Sequence, residues 1–76
     1  MNQTQDNLFN LLYQEHKAVI LSKKITAQIL GLGVSTLDKL RHEGKGPRFK
    51  QEKLSNVKYN LHSIVEYILQ DEIQTA

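Results

Sequence analysis

The side chains of this chain best suited to chemistry lie in a short stretch that glycines bound on both sides. The stretch Leu30–Phe49 contains all four glycines and the only proline. Within it, a helical wheel places Leu37 and Leu40 on one side and a polar set on the other. The polar set consists of Ser35, Asp38, Lys39 and His42. Hydroxyl, carboxylate, ammonium and imidazole groups on one helical face form hydrogen bonds and charge contacts, which is the chemistry of binding.

The charge of the chain is concentrated in its middle. All ten Lys and Arg residues lie between Lys17 and Lys58, where three acidic residues oppose them and leave a local charge of +7. Acidic flanks reduce the net charge to +2. A basic middle segment favours a polyanionic partner. Taken alone, this charge distribution fits an ordinary solvated surface even better than a polyanion-binding one. The order of the predicted elements is needed to choose between these two interpretations.

Catalysis, metal binding and cofactor binding find no support in the sequence. There is no cysteine, and the three histidines, at positions 16, 42 and 62, do not have metal-site spacing. Gly31 and Gly33 resemble part of a dinucleotide-binding loop, but they follow a predicted helix and a third glycine is missing. No nucleophile is accompanied by a plausible base, and no pair of carboxylates is evident. We therefore predict a protein that is not an enzyme and has neither a metal nor a cofactor.

Length and hydropathy predict one small cytoplasmic domain. With 76 residues, a chain buries only about 60% of the surface that its unfolded form exposes, so the core is expected to be small. No apolar run approaches the roughly 18 residues that indicate a membrane span. The N-terminal residues are polar and show no signal-peptide pattern.

The elements that must position the polar set follow from periodicity and capping residues. We predict a mainly α fold with a small β-hairpin, in which Ser22 caps the second helix, Gly31 ends it, Gly33 precedes the third and Asn60 caps the last. The predicted order is a flexible tail (1–6), an N-terminal helix (7–17), an apolar connector (19–21), helices at 23–30 and 34–43, strands at 48–50 and 57–59, a helix after residue 60, and a C-terminal tail (71–76).

The aromatic residues near the hairpin are predicted to be core residues. Phe49, Tyr59 and Tyr67 lie where the hairpin and the last helix would pack on the remaining helices. They are too few to form a stacking platform for single-stranded nucleic acid.

Two short helices joined by a tight glycine turn are typical of a helix-turn-helix, and a hairpin directly after them is typical of a wing. From Ile20 to about Leu69 the chain resembles the small winged helix-turn-helix proteins of the excisionase and AlpA-like group, related in fold to the MerR DNA-binding domain. The resemblance is carried by Leu21-Ser22, Ala27, Leu30-Gly31-Leu32, Ser35-Thr36-Leu37, Glu43-Gly44-Lys45-Gly46-Pro47, Phe49, Val57-Lys58-Tyr59, Ile64, Tyr67 and Ile68.

The resemblance implies sequence-specific binding of double-stranded DNA with helix 34–43 in the major groove. Lys39 would reach guanine, and Ser35 or His42 would reach base edges or phosphate. The Asp38 carboxylate has three possible uses: it could accept a hydrogen bond from a cytosine amine, repel phosphate, or pair with His42 or Arg41 within the helix.

The remaining predicted DNA contacts lie around that helix and on the wing (48–59), which would follow the backbone or the minor groove. Thr36 and Arg41 flank the groove-facing set, and Thr36 would bind phosphate together with free backbone N–H groups. The others are Lys23 and Lys24 on the preceding helix, and Lys45, Arg48, Lys53, Ser55, Asn56 and Lys58 on or near the hairpin, whose tip is predicted at 51–56.

The family suggests two roles, namely a transcriptional regulator or an accessory factor for site-specific recombination, and either role predicts a nucleoid-associated protein. The alternative is a protein-interaction adaptor of a mobile element that uses the same fold with a merely solvated basic face.

The N-terminal helix lies outside the family pattern and has two possible uses. Leu8, Phe9, Leu11, Leu12 and Tyr13 make it more apolar than a solvated helix. It either packs on its own domain or pairs with the same helix of a second copy, and the breadth that Phe9 adds to the apolar stripe favours the dimer slightly. Cooperative copies on repeated DNA sites are a further possible form of self-association.

Overall fold

The computed structural model describes residues 3–51 and 56–74, with side chains up to residue 70. In these ranges the chain forms four helices and a small antiparallel sheet of three strands. The predicted mainly α character with a small β element is confirmed. The bounds of the helices and strands are α1 Gln3–His16, β1 Ile20–Ser22, α2 Lys23–Leu30, α3 Val34–His42, β2 Phe49–Gln51, β3 Val57–Asn60 and α4 Leu61–Gln74.

The sheet contains one more strand than predicted. The segment predicted as an apolar connector contributes β1, which pairs antiparallel with β3 so that Leu21 lies opposite Tyr59. Since β2 pairs with the other edge of β3, the order is β1-β3-β2. Three residues are too few to show the alternation that identifies a strand, and only pairing with a distant segment makes β1 a strand.

The predicted capping residues set the ends of the helices that follow β1 and β3. The Ser22 hydroxyl accepts a hydrogen bond from the Ile25 amide at 3.2 Å and starts α2. Gly31 ends α2 at φ 71°, a left-handed conformation that favours glycine. At the start of α4, the Asn60 side-chain oxygen accepts a hydrogen bond from the His62 amide at 2.8 Å.

The two terminal helices are longer than predicted. Helix α1 begins at Gln3, so residues 3–6 are helical where a tail was predicted. Helix α4 continues to Gln74, through residues that were also predicted as a tail. The two helices pack against each other, and the Phe9 ring stacks on His62 with centroids 4.3 Å apart.

The core lies between the inner face of the sheet and the helices. Its buried apolar residues are Leu21, Ala27, Leu37, Val57, Tyr59, Leu61, Ile64 and Val65. Tyr59 is therefore a core residue as predicted, and Tyr67 is half-buried. The prediction was wrong for Phe49, which is 42% exposed. Because β2 is an edge strand, Phe49 has a neighbouring strand on one side alone, where its ring lies against Tyr59.

Candidate nucleic-acid interface

Helix α3 is held by a short connection and one fully buried side chain. The Leu32 amide bonds to the Ala27 carbonyl at 2.9 Å and closes the turn after α2. Leu37 is completely buried and fixes the inward side of α3. Gly33 caps the helix without a side-chain hydrogen bond. The first amides of α3 thus have no side-chain acceptor from the cap.

The outward face of α3 carries exposed polar side chains. Its exposed members are Ser35, Thr36, Lys39 and His42. Within the described part of the chain, Lys39 makes no ion pair or side-chain hydrogen bond. A flexible ammonium group on an exposed helical face can therefore approach a ligand without breaking an internal contact.

Asp38, although on the same helix, is engaged inside the protein. Its carboxylate lies 3.3 Å from Lys23 Nζ and 3.3 Å from an Arg41 terminal nitrogen. Of the three uses considered for Asp38, pairing within the helix is the one observed, with Arg41 as the partner. The contact with Lys23 was not predicted, and it joins α2 to α3. Lys23 is consequently half-buried and partly neutralised.

Arg41 links α3 to the sheet. Its side chain is only 10% exposed, and its guanidinium lies over the Phe49 ring, 5.6 Å from the centroid. A cation over an aromatic face is attracted to it, more strongly when partly desolvated. Arg41 was predicted as a DNA contact flanking the groove-facing set, and the structure places it between Asp38 and Phe49. There it sets the position of β2 relative to α3.

The connection from α3 to β2 turns sharply and exposes one lysine. Gly44 adopts φ 74°, and the Lys45 amide bonds to the Leu40 carbonyl at 2.8 Å. The Lys45 side chain is exposed close to the end of α3, whereas Pro47 is buried. Lys24 is likewise exposed, on α2.

The predicted hairpin contacts do not form one group. Arg48 pairs with Glu66 at 3.3 Å on the surface. Lys58 is exposed on β3 between buried Val57 and buried Tyr59, so it points away from the core and from α3. Asn56 is half-buried just before β3. Lys53 and Ser55 lie outside the described residues.

Tyr59 is a buried ionisable group next to the Asp38–Arg41 pair. Burial raises the pKa of its hydroxyl above the ordinary value of 10.0, an effect that the Arg41 charge opposes and the Asp38 charge supports. A raised pKa in the folded state leaves the stability unaffected below about pH 10. Above it the unfolded chain ionises first, so stability is lost as the pH rises.

We expect the ultraviolet tyrosinate titration of the folded protein to contain a late phase that Tyr59→Phe removes. The same variant should lose less stability than the wild type between neutral and strongly alkaline pH, because it has no buried hydroxyl to ionise on unfolding. Tyr13→Phe, which changes an exposed tyrosine, is the matched control and should keep the late phase. A late phase that survives in Tyr59→Phe would contradict the assignment.

Two other kinds of feature, a metal centre and a membrane-spanning helix, find no support in the described residues. No group of three or more His, Cys, Asp or Glu side chains in the described ranges could hold a metal ion. None of the helices described has the length and apolar character needed to cross a membrane. Comparison with models of protein families, with curated proteins and with solved structures finds no match to this chain.

Proposed function

We propose that this protein is a small winged helix-turn-helix protein that binds double-stranded DNA in a sequence-specific manner. Helix α3 enters the major groove, and the β2–β3 hairpin lies along the backbone or the minor groove. The order α2, tight turn, α3, hairpin supports this proposal, since α3 is anchored by Leu37 on one side and exposed on the other.

The observation that carries the proposal is the distribution of charge around α3. Asp38 pairs with both Lys23 and Arg41 and offsets part of their charge. Lys39 has no such partner among the described residues and stands on the outward face. An exposed, unpaired lysine on a rigidly held helix is suited to reach the O6 and N7 acceptors of guanine.

Contacts to the DNA backbone would surround this position. The amides at the start of α3, next to Thr36, are suited to one phosphate because they are donors at the positive end of a helix dipole. Lys24 on α2 and Lys45 just after α3 are exposed and would contact further phosphates.

Within this function the protein acts as a transcriptional regulator or as an excisionase-type accessory factor in site-specific recombination. A single module of this size buries little DNA surface. Useful specificity then requires two or more copies on repeated or palindromic half-sites.

Selection of bound sequences from a random duplex pool tests the proposal, and we expect one enriched motif whose half-site spacing reports the symmetry of assembly. On that motif, Lys39→Ala should cost about 1–3 kcal/mol of binding free energy and relax the preference at one base position. The measurement is a set of titrations against the motif and its single-base variants.

Lys45→Ala is the matched control, because it removes the same charge from a position predicted to contact phosphate. It should weaken binding to all sequences by a similar factor. If both variants reduced binding equally and independently of sequence, the outward face of α3 would not be the surface that reads bases.

A further inference from the structure

The sheet has an outer face that no described element covers. Along β3 the burial alternates, with Val57 and Tyr59 turned to the core and Lys58 turned outward. The register places Lys50 directly opposite Lys58, and Ile20 directly opposite Asn60, so these four side chains share the outer face. Helix α3 lies on the other side, where Arg41 covers Phe49.

Two like charges face each other on this surface. Among the described residues, neither Lys50 nor Lys58 forms an ion pair or a side-chain hydrogen bond. Like charges directly opposite on neighbouring strands destabilise a sheet. Within the described part of the chain this pair is therefore unfavourable, and an anionic ligand would convert it into a favourable contact.

The same face is partly apolar. Ile20 is 53% exposed and forms one wall of an open groove of about 400 Å³. Arg48 stands at the edge of the groove, where Glu66 already pairs with it. The groove is lined by Ile20, Arg48, Phe49, Lys50, Lys58, Tyr59, Asn60 and Ser63.

We propose that the outer face of the sheet binds an acidic peptide segment of a partner protein. Carboxylates of the segment pair with Lys50 and Lys58, and an apolar side chain of the segment covers Ile20. A duplex backbone would satisfy the two lysines, but beside its phosphates it offers Ile20 only the edge of a deoxyribose, whereas an aliphatic side chain of a peptide would cover Ile20 more fully, which favours a peptide. Because this face is opposite α3, the site is separate from the proposed contact of α3 with the major groove, and the hairpin would meet the DNA along the edge of β2 rather than with this face.

The test uses the full-length protein and a fluorescent decapeptide of glutamate and leucine residues. Lys58→Glu should weaken binding of this peptide about five- to tenfold, because one attraction is replaced by a repulsion. The substitution places Glu opposite Lys50, so the fold should be kept or stabilised, which thermal denaturation checks. Ile20→Thr, which retains a β-branched side chain, should weaken binding of the same peptide.

Matched probes and variants separate this proposal from its competitors. A peptide in which glutamine replaces glutamate should bind to none of the proteins. For a peptide in which serine replaces leucine, Ile20→Thr should not change the binding. Lys17→Glu, an equal change of charge outside the groove, should leave peptide binding nearly unchanged. The proposal is overturned if Lys58→Glu and Lys17→Glu have equal effects on peptide binding. It is also overturned if Lys58→Glu reduces duplex binding more than Lys17→Glu does, since the face would then belong to DNA.

Discussion

Raising the salt concentration fourfold from a low starting value should lower the affinity for duplex DNA by about a thousandfold. The reason is the local charge of +7 between Lys17 and Lys58, which is expected to neutralise about five or six phosphates and to release their counterions, giving a log–log slope near −5. The measurement is a series of titrations with random-sequence duplex, so that base-specific contacts do not contribute.

Two controls make the slope informative. Lys39→Ala combined with Lys45→Ala should reduce its magnitude by about 2 if both side chains contact phosphate in the non-specific complex. Replacing Leu11, an exposed apolar residue on α1, by serine should not change the slope. A slope near zero for the wild type would contradict DNA binding and favour the alternative that the protein is an adaptor with a solvated basic surface.

The elements predicted most accurately from the sequence are those whose ends carry capping residues. The bounds of α2 were predicted without error, because Ser22 supplies a cap acceptor at one end and Gly31 a left-handed residue at the other. The start of α1 has no such signal, and the helix extends four residues further than its apolar spacing indicated. Pairing between β1 and β3 depends on residues almost forty positions apart, which no local pattern encodes.

In the candidate site, too, local features were predicted from the sequence and tertiary contacts were not. Helical spacing alone places Ser35, Lys39 and His42 on an exposed face. The contacts that decide which cations remain available are tertiary. Lys23 reaches Asp38 from another helix, and Arg41 reaches Phe49 on a strand. Local spacing therefore identified the surface but overstated the number of its free charges.

Helix α1 is expected to contribute strongly to the stability of the fold. The sequence allows two uses for α1, and the breadth that Phe9 adds to its apolar stripe slightly favours the dimer. In the structure Phe9 and Leu12 pack against the core of their own chain, and Phe9 stacks on His62 of α4. That particular reason for a dimer is therefore removed, although Leu11 remains 68% exposed.

We expect that deleting residues 1–16 abolishes the cooperative thermal transition. A chain this short has a small core and a stability of only about 5 kcal/mol, so uncovering α4 along the α1 contact would exceed that margin. The milder variant Phe9→Ala should cost about 2 kcal/mol and lower Tm by about 10 °C. Differential scanning calorimetry of the three proteins measures both effects.

Leu11→Ser distinguishes the two uses of α1 because Leu11 is exposed on the same helix. If α1 serves the core of its own chain, this variant keeps the wild-type Tm and the wild-type sedimentation coefficient. If α1 joins two copies, Leu11→Ser turns a dimer into a folded monomer that binds one half-site weakly. A truncated protein that retains its thermal transition and sediments as a monomer, beside a dimeric wild type, would show that α1 is an oligomerisation helix whose contact with α4 is dispensable for folding.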